Sequence, residues 1–179
     1  MERGMKEIVS YHRRGDLPGV ELRCLQNSKR LWRHFCTGFE LLIPETWQGQ
    51  VLYRQVCHSV GPGSIFCAAP GHAFSVVDVQ RPGTVNGLTL DGEAFVETRT
   101  ECRGTLTPRK GPLVEATNPI GAMSARLLES MLSPDADIEL LRTLLRELGA
   151  RLLVEHAREP ESASRVRGLR GFKHHFGLQ

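Results

Sequence analysis

Histidine and cysteine side chains are the groups of this chain that could bind a metal ion. His34 and Cys36 stand two positions apart in an expected strand, so their side chains face the same side. His58 and His72 follow on later segments, and imidazole and thiolate groups bind zinc or iron. We expect no carboxylate beside His34 and Cys36, and His72 directly follows the turn residues Pro70-Gly71. We therefore predict no metal site.

The sequence contains no motif for nucleophilic or phosphate chemistry. It has no Gly-x-Ser-x-Gly, no P-loop and no Gly-x-Gly-x-x-Gly. The 5 cysteines are an odd number without a Cys-x-x-Cys pair, which favours reduced thiols over a disulfide framework or a zinc knuckle. We predict no catalytic residue and no cofactor, and hence a protein that is not an enzyme.

A binding cavity needs an apolar and aromatic lining with a few polar groups that orient the ligand. The first two thirds of the chain supply both kinds of residue. The aromatic candidates are Trp32, Phe39, Trp47, Tyr53 and Phe74, and the polar candidates are Arg33, Gln55 and His58. This set predicts a lined cavity without identifying its ligand.

Length and composition indicate an ordinary globular chain. The 179 residues are 40% hydrophobic and 24% charged, which suits one domain with a helical extension. The net charge of +3 is too small to argue for nucleic acid as a partner. No apolar run approaches the roughly 20 residues of a membrane span, and the N-terminus lacks the apolar stretch of a secretion signal. We expect a cytoplasmic protein without membrane contact.

Residues 19–116 read as short strands separated by Gly and Pro, which predicts an antiparallel sandwich or barrel. The expected strands include GVELRCL, GFELLIP, SIFCAA, AFSVVDV and TVNGLTL, with VLYRQVCHSV as one continuous strand. Residues 91–102 could form a short helix, and LVEA is the last expected strand. Residues 1–18 are expected to form an N-terminal arm that covers the cavity.

The apolar period changes from two to about 3.6 in residues 117–157, which predicts two helices. Asn118-Pro119 and Ser133-Pro134-Asp135 resemble helix starts. In the second helix an apolar stripe of leucines is wide enough to need a partner. The stripe contains Leu141, Leu145, Leu148 and Leu152. We expect it to pair with the same helix of a second copy, and the alternative is that it covers its own barrel.

The segment GPGSIFCAAPGHAFSV resembles part of the N-terminal sensor of AraC-family bacterial transcription regulators, a cupin-type barrel, and the resemblance extends over residues 22–90. Gly63, Pro70, Gly71 and Ser75 match the family pattern, but Phe74 stands where relatives usually carry histidine. In such regulators the barrel binds a small effector and the following helices form a dimer. The resemblance therefore implies the same roles here.

A second departure from the family pattern lies in WRHFCTG, where relatives commonly have histidine at the position of Cys36. Both this change and Phe74 remove groups that metal-binding cupin enzymes use as ligands. The resemblance thus disfavours an enzyme.

Residues 158–179 resemble an incomplete helix-turn-helix unit. SASRVRGLRGFKHHFG is similar to the family's stretch around the first recognition helix, with Arg170 and Lys173 as the DNA-binding remnant. The helix that should precede it and the second unit are not recognisable. Since a lone recognition helix lacks a supporting core, we expect weak or no DNA binding by this chain.

The sequence thus predicts a mainly β fold with C-terminal α: a cupin-like antiparallel β-barrel followed by a two-helix dimerisation segment. A small organic effector is expected in the barrel, oriented by Arg33 and lined by Phe39, Tyr53, Phe74 and Asn86. Two alternatives stay open. One is a metal-dependent cupin dioxygenase or isomerase, and the other is a structural dimerisation module whose barrel is filled.

Overall fold

Two antiparallel β-sheets and two C-terminal helices make up the computed structural model, which describes residues 6–95 and 111–156. The strands are β1 (Ile8–Arg13), β2 (Val20–Ser28), β3 (Trp32–Phe35), β4 (Phe39–Pro44), β5 (Gln48–Tyr53), β6 (Val56–Val60), β7 (Ser64–Ala68), β8 (Ala73–Arg81), β9 (Gly83–Leu90) and β10 (Leu113–Glu115). The helices are α1 (Pro119–Leu132) and α2 (Ile138–His156), and a 3-10 turn covers Glu93–Phe95.

The strands form a sandwich of two sheets. A six-stranded sheet has the order β1-β2-β9-β4-β7-β10, and a four-stranded sheet has the order β3-β8-β5-β6. The predicted mainly β fold with C-terminal helices is therefore confirmed. The predicted closure into a barrel is not, because in the described part of the chain no strand ladder joins the two sheets.

The six-stranded sheet separates two apolar clusters. Alternate residues of β4 serve both: Leu42 belongs to the cluster between the sheets, whereas Phe39 and Leu41 belong to the cluster beneath the helices. Strand alternation explains this division, since successive side chains point to opposite faces. The continuous apolar character of GFELLIP, apart from Glu40, fits a strand that is covered on both faces.

Residues 51–60 form a hairpin, which corrects the prediction of one continuous strand. β5 and β6 are antiparallel neighbours, and the two-residue turn between them consists of Arg54 (φ 50°) and Gln55 (φ 66°). Two successive positive φ values are the geometry of a tight hairpin turn, which usually carries Asn-Gly or Asp-Gly. The sequence lacks that signal, so the prediction missed the turn.

Part of the expected N-terminal arm is a strand of the six-stranded sheet. β1 pairs with β2 from Ile8↔Gln26 to Arg13↔Glu21. The buried Ser28 hydroxyl also donates a hydrogen bond to Glu7. Residues 8–13 therefore belong to the sandwich and are not a cover over it.

Helix α1 begins as predicted: the Asn118 side chain accepts a hydrogen bond from the Ile120 N–H at 3.0 Å, and Pro119 follows as the first helical residue. Helix α2 begins later than predicted. Ser133 is the C-terminal cap of α1, and Asp137 accepts the Glu139 N–H at 2.9 Å. The second start signal therefore lies at Asp137.

The leucine stripe of α2 is buried within its own chain. Leu141, Leu148 and Leu152 are fully buried and Leu145 is nearly so, in one cluster with residues of α1 and the six-stranded sheet. The prediction that these four leucines form a seam between two copies is wrong, because the chain's own sheet already covers them. No helix in the described part of the chain is long and apolar enough to span a membrane.

Candidate ligand site

A buried carboxylate occupies the space between the two sheets. The Glu40 side chain is 0% exposed, and its Oε1 accepts a hydrogen bond from the Arg23 guanidinium. Its Oε2 accepts a hydrogen bond from the Thr89 hydroxyl at 2.6 Å. Burial of a charge is costly unless it is paired and hydrogen-bonded, and Glu40 meets both conditions.

Three neighbouring strands of the six-stranded sheet position this group. Glu40 of β4 is aligned with Thr89 of β9, and Glu21 of β2 is aligned with Thr89 on the other side. Arg23 is aligned with Gly87, where an added Cβ would stand 3.3 Å from Glu40 Oε1. Glycine at that position therefore leaves room for the ion pair.

The opposite sheet contributes an imidazole and an indole. His34 of β3 places Nε2 3.5 Å from Glu40 Oε2, so it spans the gap between the sheets. Trp32, two residues earlier on the same strand, packs edge-on against Phe74 with ring centroids 5.2 Å apart. β3 is an edge strand of its sheet, and both side chains are only partly buried. We call Glu21, Arg23, His34, Glu40 and Thr89 the polar cluster.

One hydrogen-bond donor of the polar cluster is unused. Arg23 Nε is buried and has no hydrogen-bond partner among the described residues. The Glu21 carboxylate oxygen Oε1 lies 3.7 Å from this nitrogen, which is too far for a hydrogen bond. Glu21 in turn pairs with the exposed Arg13. Unpaired buried donors are rare, and they mark places where a water or a ligand atom can bind.

The polar cluster does not fit a metal ion. In the ranges 6–95 and 111–156 no three His, Cys, Asp or Glu side chains are arranged to bind one. The Arg23 guanidinium already neutralises Glu40, and Phe74 supplies no ligand atom. Burial, followed in size by the charge of Glu40, raises the pKa of the Cys36 thiol to about 12, so this thiol is protonated at neutral pH.

Aromatic side chains pack between the sheets beside the polar cluster. Phe66 contacts both Tyr53 and Phe74, with ring centroids 5.5 Å and 5.3 Å apart. The Tyr53 hydroxyl accepts a hydrogen bond from the Ala69 N–H at 3.2 Å, and burial raises the Tyr53 pKa. The ring of His72 lies 5.8 Å from that of Tyr53, and burial lowers the His72 pKa. Both groups are thus neutral near pH 7.

The five predicted ligand contacts do not form one site. Tyr53 and Phe74 belong to the cluster between the sheets, and Phe39 belongs to the cluster beneath the helices. Asn86 is aligned with Ile43, on the helix side of β9, and donates a hydrogen bond to Glu45 at 2.7 Å. Arg33 is exposed on the outer face of the four-stranded sheet. Strand alternation therefore distributes them over three surfaces.

The sequence prediction missed Glu40 and Arg23. It expected no carboxylate beside His34 and Cys36, yet Glu40 contacts His34. One signal was present: Glu40 is the single charged residue of GFELLIP, so a buried strand must carry a buried charge that requires a partner. Finding Arg23 as that partner required the pairing of β2 with β9 and of β9 with β4. The predicted remnant residues Arg170 and Lys173 lie outside the described residues.

The sequence matches no protein-family model and no curated protein. Among solved structures, the chain is similar to the AraC-like transcriptional activator CuxR, with TM-score 0.56 and 8% identity over 82% of this chain and 56% of CuxR. It is also similar to ToxT from Vibrio cholerae, with TM-score 0.52 and 9% identity over 76% of this chain and 56% of ToxT. A cupin superfamily protein from Desulfitobacterium hafniense matches 51% of the chain and 83% of its own length, with 8% identity and TM-score 0.44.

These likenesses concern the fold. The chain spans little more than half the length of CuxR and of ToxT, and identities of 8% and 9% carry no residue roles. The two-sheet sandwich with its trailing helix pair is therefore similar in fold to the matched parts of CuxR and ToxT.

Proposed function

We propose that this chain is the ligand-sensing domain of an AraC-like transcription regulator and that a small organic molecule binds at the polar cluster. The observation that carries the proposal is the buried Arg23–Glu40 pair, in which the Arg23 Nε–H is unused. This pair faces the edge strand β3 of the opposite sheet, which holds His34 and Trp32. Binding sites of this kind combine a few fixed polar groups with an apolar wall.

The chemistry of the polar cluster suggests what the ligand must offer. Arg23 Nε can donate to a ligand oxygen, and the ring of Trp32 together with Leu25 offers apolar surface. One ToxT structure, with TM-score 0.50 and 8% identity over 85% of this chain and 58% of ToxT, is of the protein bound to (E)-4-(8-methylnaphthalen-1-yl)but-3-enoic acid. That compound joins a flat apolar ring to a carboxylate. We propose a ligand of the same general character.

The proposal can be tested by thermal stabilisation, since a ligand that binds only the folded state must raise the Tm. The probes are the naphthyl-butenoic acid bound by ToxT and a panel of small organic acids and neutral analogues. We expect at least one acid to raise the Tm of the native chain. His34→Ala and Trp32→Ala should weaken its binding by tenfold or more in titration calorimetry.

Arg33→Ala is the matched control, because Arg33 neighbours His34 in the sequence but lies on the outer face. It should bind the acid as tightly as the native chain. Equal affinity of all the variants would reject the polar cluster as the site. Failure of every probe to stabilise the chain would favour the structural module with a filled interior.

We also propose that the chain is not an enzyme. A metal-dependent cupin enzyme should purify with a near-stoichiometric metal ion, whereas here Arg23 already pairs with the only carboxylate that contacts His34 in the described residues. Elemental analysis of the purified chain distinguishes the two functions.

In a full-length regulator, the ligand would act by binding one arrangement of two protomers and their DNA-binding parts better than another. For this chain alone we propose weak or no specific DNA binding, which a mobility-shift assay in low salt tests.

A further inference from the structure

His34 is the member of the polar cluster whose charge can change near neutral pH. Imidazole gains and loses its proton in that range, whereas carboxylates are ordinarily ionised and a guanidinium stays protonated. His34 Nε2 lies 3.5 Å from Glu40 Oε2, close enough for the ring to pair with the carboxylate when it is protonated. The His34 side chain is 27% exposed, so it exchanges protons with solvent. The total charge of the polar cluster therefore depends on pH.

The groups that face His34 come from three strands. Glu40 of β4 faces the ring, and Arg23 of β2 holds the other oxygen of the same carboxylate. Glu21, also of β2, lies beside Arg23. β8 contributes Phe74, whose ring centroid is 5.6 Å from that of His34 and which carries no charge. Glu40 is thus the charged group with which the imidazole interacts directly.

The buried charges of the polar cluster cancel while the imidazole is neutral. Arg23 and Glu40 carry one charge each, and Glu21 is paired with the exposed Arg13. The Cys36 thiol, on which the charge of Glu40 also acts, is protonated at neutral pH and adds no charge. A ligand carboxylate that accepts a hydrogen bond from Arg23 Nε would bring a further negative charge close to Glu40. Because an uncompensated buried charge is costly, such a ligand needs one more positive charge.

We propose that His34 supplies this charge: binding of an organic carboxylate at Arg23 is accompanied by uptake of one proton from solvent by the His34 ring, and this makes the site selective for acids. The inference rests on the proposed sensing function and adds to it the class of ligand and a dependence on pH. Both nitrogens of a protonated imidazole are donors, so the ring can serve Glu40 and the ligand carboxylate together. A neutral ligand needs no such charge, and its binding takes up no proton.

Calorimetric titration with 1-naphthylacetic acid and 1-naphthylacetamide tests this inference, since the two probes share a ring system and differ in charge. Titrations in two buffers with different heats of ionisation give the number of protons taken up. The native chain should take up roughly half a proton to one proton per bound acid at about pH 7.5, and none per bound amide. Its affinity for the acid should fall up to about tenfold from pH 7 to pH 8, while its affinity for the amide stays constant.

His34→Gln retains a polar side chain that can form hydrogen bonds but cannot take up a proton. This variant should lose the proton uptake, and its ratio of acid to amide affinity should be roughly tenfold lower than that of the native chain at about pH 6.5. His12→Gln is the matched control. His12 is aligned with the buried Leu22, on the face of the six-stranded sheet opposite to the polar cluster. The control should retain both the proton uptake and the native ratio.

Acid binding without proton uptake by the native chain would overturn this inference and leave the sensing function in place. Proton uptake that persists in His34→Gln, or that is lost in His12→Gln, would also overturn it. Failure of 1-naphthylacetic acid to bind at any pH would overturn it as well, whereas the wider panel of probes decides the sensing function separately. Circular dichroism checks that both variants are folded, and the measurement on the native chain does not depend on either of them.

Discussion

The β5–β6 turn holds Arg54 and Gln55 in a backbone conformation that residues other than glycine disfavour. Both residues have positive φ, where an L-residue's Cβ crowds the following carbonyl oxygen. The hairpin keeps them there because the paired strands on either side align buried Val51 and Tyr53 with β6 and β8. Tertiary pairing has thus overridden local preference, which explains why the turn was not predicted.

Gln55→Gly should stabilise the protein. Glycine removes the strain at φ 66° but adds freedom to the unfolded chain. We expect a net increase of about 0.5–1 kcal/mol in the free energy of unfolding, measured with urea. Gln80→Gly is the control, because Gln80 is an exposed residue of β8 without positive φ. It should lose about 0.5–1 kcal/mol, and a loss in both variants would contradict the strain argument.

At the scale of elements, the Arg23–Glu40 pair joins strands that are not direct neighbours. β9 lies between β2 and β4, so the ion pair crosses it above Gly87. Breaking such a pair leaves a buried charge without a partner, whereas replacing both charges with apolar groups of similar volume is far less costly.

Arg23→Met should therefore reduce the free energy of unfolding by about 3–5 kcal/mol, and Arg23→Met combined with Glu40→Met should recover most of that loss. The exposed pair Arg142–Glu139 of α2 provides the control, since Arg142→Met should change stability by about 0.5 kcal/mol or less. Urea denaturation of the native chain, of the single variants Arg23→Met and Glu40→Met, and of the double variant measures the coupling. Additive losses in the double variant would show that the two charges do not stabilise each other.

Helix α2 has both buried and exposed leucines, whose contributions to stability can be compared by mutation. Leu148 is fully buried against the same chain, so Leu148→Ala should cost about 2–5 kcal/mol. Leu140 is 38% exposed, and Leu140→Ala should cost less than about 1 kcal/mol. The urea midpoint of Leu148→Ala should differ from that of the native chain by the same amount at every protein concentration. A difference that changes with concentration would return this leucine to an interface between copies.

At the scale of the whole molecule, both apolar clusters share the six-stranded sheet, so neither can unfold alone. Trp47 lies between the sheets, while the helices cover the opposite side. We expect tryptophan fluorescence and the helical circular dichroism signal at 222 nm to follow one thermal transition. A single Trp47→Phe variant, which retains Trp32, checks which indole reports the change. Separate midpoints for the two signals would contradict a shared core.

The sequence predicted most strands, both helices and the fold class because their apolar periods differ clearly between residues 19–116 and 117–157. It did not predict which sheet each strand joins, or which apolar cluster each face of the strand contacts. That information depends on pairings between distant segments, such as β2 with β9, which local patterns do not encode. The prediction of the site residues was wrong for the same reason: Arg33 and His34 are adjacent, yet their side chains point to opposite faces of the sheet.

Glu40 stands between Phe39 and Leu41 on β4, with its carboxylate in the polar cluster and its two neighbours beneath the helices. Strand β4 therefore connects the polar cluster directly with the apolar surface beneath the helices. A displacement of its backbone at Glu40 must also shift the surface on which α1 and α2 rest, because close-packed side chains transmit movement instead of absorbing it. On this strand the polar cluster and the surface beneath the helices are one residue apart.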